Sequence, residues 1–208
     1  MITALDVLQR LREGNQRFVS GQRNVAPIAP SRQYPPLLIQ QPFAIILGCS
    51  DSRVPAELVF DQGLGDLFVI RVAGNIVAPS QIGSVEFAAA QYNTRLVVVM
   101  GHTQCGAVNA TIEELKRPSG EQSKNIRSIV DRIRPSVETF AKSDLWHNHD
   151  ELIDQAIRAN VRASVNQLRH GSTILENLIQ TEDLLIVGAE YSIETGVVDF
   201  FDGLPETS

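Results

Sequence analysis

The chain has 208 residues, 43% hydrophobic and 20% charged, with 18 Lys and Arg against 24 Asp and Glu for a net charge of −6. The length suits one domain with a sizeable core, and the acidic balance argues against a general nucleic-acid binder or a protein held on an anionic membrane, which need surplus cations. Only two cysteines occur, Cys49 and Cys105, so a disulfide-stapled secreted scaffold is excluded as well.

In chain order, Thr3 with Asp6 three residues on is an N-cap pattern, and Leu5, Leu8, Leu11 and Phe18 fall on one face of a helix that Gly21 ends. The stripe reads most simply as core packing. No basic segment followed by an unbroken apolar run opens the chain, and no stretch approaches the roughly 20 apolar residues of a membrane span. A cytoplasmic protein is expected. Residues 24–42, with Pro27, Pro30, Pro35, Pro36 and Pro42, predict an extended, irregular connection. Short continuous apolar runs at 43–48, 67–70, 96–100 and 184–187 have the character of strands buried on both faces of a parallel sheet. Helical patterns cover 84–92, 107–116, 124–142 (with Pro135 kinking or dividing it), 149–170 and 172–180, and residues 196–201 could add an edge strand. The expectation is an α/β fold with a mostly parallel central sheet of four to five strands flanked by helices. It is read as a single domain over 1–208, with an N-terminal helical arm over 1–20.

Parallel α/β sheets bind ligands at the carboxyl ends of their strands. There the first apolar run leads into Cys49-Ser-Asp51-Ser-Arg53-Val54-Pro55, and the third into Gly101-His102-Thr-Gln-Cys105-Gly106. Two thiols and an imidazole make three protein ligands for zinc, the number a catalytic site uses while keeping a fourth position open. Two inert core thiols are the plain alternative. A phosphatase-type thiol loop fails, because Pro55 stands where its arginine would be needed. A thiol hydrolase activated by His102 is the remaining nucleophile reading.

These motifs together resemble the β-class carbonic anhydrases. The likeness extends over 40–108, through Asp66-Leu-Phe-Val-Ile-Arg-Val-Ala-Gly-Asn-Ile-Val77 and Gly83-Ser-Val-Glu-Phe-Ala88. It implies Zn²⁺ on Cys49, His102 and Cys105, with Asp51 either taking the fourth position or pairing with Arg53. It implies reversible hydration of carbon dioxide to bicarbonate and a proton, zinc hydroxide being the nucleophile. A Zn–Cys₂His centre is formally neutral and should acidify water less than a His₃ centre. A carboxylate that holds the nucleophile is then useful, and Arg53 decides its state by bidentate pairing. The resemblance also implies a glutamine at Gln40 that bonds the reacting oxygen, an apolar pocket including Val54 and Phe68, and Phe87 where many members have tyrosine. Some members carry a second bicarbonate site built with a tryptophan at the position of Ile46; Arg71 and Tyr191 are candidates for its other two residues, and Ile46 argues against it. The family builds its cleft at a subunit interface, so a homodimer or homotetramer is expected, with the N-terminal stripe as a possible dimer contact.

Two rivals use the same residues. One is a hydrolase of a carbon dioxide relative such as carbonyl sulfide or carbon disulfide; the other is a non-catalytic zinc-bearing binding or sensor protein. Elsewhere, His147 and His149 read as solvated turn residues, and His170-Gly171-Ser172 as one helix end followed by the next N-cap. Gly63 and Gly65 lack the third glycine of a dinucleotide loop.

Overall fold

The structure, a computed structural model, describes residues 2–24, 40–117 and 123–205. Helix α1 (Ala4–Ser20) opens the chain, and β1 (Ala44–Gly48), the short α2 (Ala56–Val59) and β2 (Leu67–Arg71) follow. Then come α3 (Pro79–Gln91), β3 (Leu96–His102), α4 (Gly106–Lys116), α5 (Lys124–Glu138), α6 (His149–His170), α7 (Thr173–Thr181), β4 (Leu185–Tyr191) and β5 (Val198–Asp202). Most of the proline-rich connection expected over 24–42 lies outside the described residues.

The strands form one sheet in the order β2-β1-β3-β4-β5, parallel throughout except for the antiparallel edge strand β5. Every residue of β1 and β3 is buried, as expected for central strands covered by helices on both faces. Their side chains alternate between the two layers. Ala44 and Ile46 join Leu8 and Leu11 of α1, whereas Ile45 and Leu47 join Val161 and Val165 of α6. A third cluster gathers Cys49, Cys105, Ile112, Ile133 and Ile157 beyond the carboxyl ends of β1 and β3. Among the described residues, no helix is long and apolar enough to cross a membrane.

The expected cap of α1 is present and reciprocal. Asp6 donates its backbone N–H to Thr3 Oγ1 at 3.1 Å, and Thr3 donates its own to Asp6 Oδ2 at 3.0 Å. The Thr3 side-chain and backbone bonds hold the Asp6 carboxyl below its usual range. A depressed folded pKa means that the stabilisation is present above the unfolded value and is lost as pH falls through the folded one. Asp6→Asn should therefore show a Tm deficit at about pH 6 that shrinks on acidification to about pH 2. A deficit independent of pH would contradict the cap's ionic character.

The buried stripe of α1 is Ala4, Val7, Leu8 and Leu11, while Leu5 is 52% exposed. Expecting Leu5 on the core face was wrong: counting i, i+3, i+4, i+7 from Ala4 leaves it outside. The arm packs on its own chain. Asn15 donates to the carbonyls of Val59 and Gly196 and accepts from the Val198 N–H. Arg17 meets the buried Asp61 carboxylate at 2.6 Å. The helix approaches the end of α2 so closely that a Cβ on Gly14 would lie 1.9 Å from the Phe60 carbonyl oxygen. Alanine would gain about 1 kcal/mol of helix propensity there, but backbone overlap costs about 1–3 kcal/mol or more. Gly14→Ala should thus lower the midpoint of urea unfolding; an unchanged or raised midpoint would show that α1 can shift freely.

Other boundaries moved for local reasons. Helix α3 starts at Pro79, well before residue 84, since proline is pre-organised for a first turn and Gly83 is tolerated inside. Helix α5 runs through Pro135 without dividing and ends three residues later, at Glu138 and not at 142; the proline has no N–H for the Asp131 carbonyl, which weakens the last turn. Strands β3 and β4 continue to His102 and Tyr191, past their apolar runs.

Candidate metal centre

Strands β1 and β3 are hydrogen-bonded neighbours with Gly48 opposite Met100. Cys49, just past β1, and His102, the last residue of β3, therefore emerge side by side. A tight turn follows in which Gln104 takes a left-handed φ of 57°, and it brings Cys105 back at the start of α4. The ligand atoms of Cys49, His102 and Cys105 all lie within 4.8 Å of one another, and all three residues are buried. One ion with ligands at about 2.0–2.3 Å can bridge such a set.

The chemistry of the donors fits a metal. His102 Nδ1 lies 2.8 Å from the Thr103 carbonyl oxygen, which can only accept, so Nδ1 carries the hydrogen and Nε2 keeps its lone pair. That Nε2 is buried with no hydrogen-bond partner among the described residues. Leaving such a group unpaired is costly, and a cation between it and the sulfurs removes the cost. Burial lowers the imidazole's pKa, but the Cys49 sulfur close by and the hydrogen bond to the Thr103 carbonyl outweigh it, and the net direction is upward. The Cys49 thiol is pulled down to about 4, chiefly by the hydrogen bond from Cys105 against the cost of burial, with help from His102 and Gly74. The same bond and burial push Cys105 up. A metal held by both sulfurs needs them as thiolates, so binding would release their protons.

Around these ligands the backbone is held firmly. Gly74 donates its N–H to Cys49 Sγ at 3.3 Å from a turn in which Gly74 (φ 68°) and Asn75 (φ 43°) are both left-handed. Two buried side chains of α6 hold that turn: Asn160 Nδ2 donates to the Gly74 carbonyl at 2.8 Å, and Ser164 Oγ to the Asn75 carbonyl at 3.1 Å. Arg71 donates to the carbonyls of Cys49 and Asp51. Arg53 grips Asp51 with both prongs, Nε to Oδ1 at 2.9 Å and Nη2 to Oδ2 at 2.8 Å, and adds its backbone N–H at 2.9 Å. These bonds hold the Asp51 carboxyl well below the usual range. Asp51 Oδ2 lies 3.9 Å from His102 Nε2, so the carboxylate faces the ligand set.

Of the residues singled out from sequence, Cys49, Asp51, Arg53, His102 and Cys105 come together at one strand end. Gln40, Phe68 and Phe87 form a different group within this chain. Gln40 Nε2 donates to the Tyr92 hydroxyl at 2.7 Å, and the Phe68 ring lies 6.1 Å from Tyr92 and 6.3 Å from Phe87. Phe68 pairs with Ile45 in the sheet register, well before Cys49. Val54 is buried in the apolar layer under α1. Ile46 and Tyr191 are in that layer too, and Arg71 is engaged by the two loop carbonyls. Sequence reasoning missed Gly74, Asn160 and Ser164. A Gly-Asn pair signals a turn, but nothing in the chain links it to Asn160. His147 and His149 are exposed, and Ser172 caps α7 as expected. A cavity of about 530 Å³ bounded by Thr3, Phe43, Tyr92, Arg95 and Glu182 lies at the opposite, amino end of the strands, and donor chemistry locates the site better than volume.

A sequence profile of the carbonic anhydrase family matches residues 44–198. The chain is also 38% identical over 196 residues to a carbonic anhydrase of Mycolicibacterium smegmatis, covering 91% of this chain and 89% of that one. The chain belongs to the β-class carbonic anhydrase family. It is 36% identical to carbonic anhydrase 2 of Mycobacterium tuberculosis, covering 89% of this chain and 87% of the relative. The class follows from solved folds. The β-carbonic anhydrase CafA of Aspergillus fumigatus superposes with a TM-score of 0.71 at 25% identity, over 80% of this chain and 78% of its own. The β-carbonic anhydrase CcaA gives 0.69 at 25% identity, over 96% and 93%. β-Carbonic anhydrases are metalloenzymes, and Cys49, His102 and Cys105 form a possible metal site in this member.

Proposed function

We propose that this carbonic anhydrase hydrates carbon dioxide reversibly to bicarbonate and a proton, with zinc held by Cys49, His102 and Cys105. The supporting observation is the convergence, within 4.8 Å, of two buried sulfurs and one imidazole nitrogen that has no hydrogen-bond partner among the described residues. Zinc so bound would leave one coordination position open and lower the pKa of water toward neutrality.

Asp51, ionised and acceptor-only, is placed to take a hydrogen bond from the attacking water and so to aim its lone pair at the carbon of carbon dioxide. Arg53 occupies both carboxylate oxygens, which favours Asp51 as an orienting group over Asp51 as a fourth ligand. Arg71 and the Gly74 turn fix the Cys49–Asp51 backbone, so the sulfur and the carboxylate are positioned before substrate arrives. The released proton passes to solvent or buffer.

The enzyme works as a homodimer or homotetramer in this reading. Strand β2 is an edge strand whose Leu67, Phe68, Val69 and Ile70 are half-buried, and Phe87 beside it is 52% exposed. In a cleft at a subunit interface, Gln40, Phe68 and Phe87 would line the site from the second chain, which accounts for their separation from Cys49 within one chain. Stopped-flow carbon dioxide hydration with zinc counted on the same sample tests the proposal. About one zinc per chain together with hydration supports it; zinc without hydration at any pH overturns it.

A further inference from the structure

Glu194 lies in the turn between β4 and β5. Its carboxylate is bonded to the loop that carries two of the three metal ligands. Thr103 Oγ1 donates to Glu194 Oε2 at 2.9 Å, and Gln104 Nε2 donates to Oε1. Ser192 Oγ donates to Oε2 at 3.2 Å from the same turn. Thr103 closes the link from the other side: its hydroxyl accepts the Ile193 N–H at 3.0 Å, and its backbone N–H donates to the Tyr191 carbonyl at 2.9 Å.

The segment so held needs holding. Gln104 is left-handed without being glycine, a conformation that costs of order 1 kcal/mol or more unless its surroundings impose it. The Thr103 carbonyl is the group that fixes the His102 tautomer through Nδ1. A loop free to relax would turn that carbonyl, and with it the imidazole plane and Nε2.

We propose that Glu194 is a positioning residue for the metal centre: by tying Thr103 and Gln104 to the β4–β5 turn it sets the orientation of His102 and the return of the chain to Cys105. The proposal rests on the reading that Cys49, His102 and Cys105 hold zinc. Glu194 touches neither substrate nor metal in this role. It is exposed, so its replacement leaves the core intact.

The test compares wild type, Glu194→Ala and Glu194→Gln in zinc-loaded and cobalt-substituted forms. The amide can keep both bonds, accepting from Thr103 while Gln104 flips its own amide, so Glu194→Gln should behave within about threefold of wild type. Glu194→Ala should release zinc to a chromophoric chelator about 10–100-fold faster and shift the cobalt d–d absorption, the effect expected of losing an outer partner of a ligand. Zinc release and cobalt bands in Glu194→Ala identical to wild type would overturn the proposal, whatever the change in Tm. A wild-type protein that binds no zinc would instead overturn the metal reading on which it rests, so the two failures are distinct.

Discussion

Cys105→Ser is expected to strip the protein of zinc and of carbon dioxide hydration together. Cys105 is 1% exposed and ends the turn from His102, so its sulfur is fixed inside the donor set. Serine keeps the size and the packing but offers a hydroxyl that stays protonated at neutral pH, where zinc needs an anionic or imidazole donor. Loss of an outer partner alone costs roughly 10–100-fold in metal affinity, and removing a direct ligand should cost more. Cys49→Ser and His102→Ala should behave alike. Zinc per chain after gel filtration, measured beside far-UV circular dichroism to confirm folding, checks the result. Full zinc occupancy in a folded Cys105→Ser protein would remove Cys105 from the ligand set.

The second large effect is of the opposite kind, with metal kept and activity lost. Asp51→Ala should retain zinc yet lose about 10²–10³-fold in kcat, the range for removing one preorganised electrostatic or proton-handling group. The reason lies in the fork between Arg53 and Asp51, which holds the carboxylate beside the ligands without committing it to them. Arg53→Ala should also keep zinc and lose activity, since an unclamped Asp51 can swing toward the fourth position and displace the water. Zinc analysis and stopped-flow rates on the same preparations decide the matter. Zinc lost from Asp51→Ala would make Asp51 an obligate ligand and the centre a closed one.

The parts legible in the sequence were those where a local rule acts on adjacent residues. The apolar runs ending in Cys49 and leading to His102 placed both candidate ligands at strand ends, because a parallel sheet buries both faces of its central strands. Helix α6 and the caps at Thr3 and Ser172 followed from periodicity and side-chain capping. What stayed hidden is carried by contacts between distant segments. Asn160 reaches Gly74 and Glu194 reaches Thr103 across separations of 86 and 91 residues, and neither pair has a motif. Leu5 misled because leucine suits either side of a helix, and only the contacts of Ala4 and Val7 fix the buried face. Gln40, Phe68 and Phe87 show a different gap. The sequence resemblance names them as pocket residues, but a single chain keeps them on the β2 side, away from Cys49.

The metal centre itself can be observed directly by zinc K-edge X-ray absorption on the purified, zinc-loaded protein at neutral pH. Two sulfurs at about 2.3 Å and two nitrogen or oxygen neighbours at about 2.0–2.1 Å are predicted, for Cys49, Cys105, His102 and one further oxygen. A first shell of nitrogen and oxygen alone, or of a single sulfur, would contradict the account.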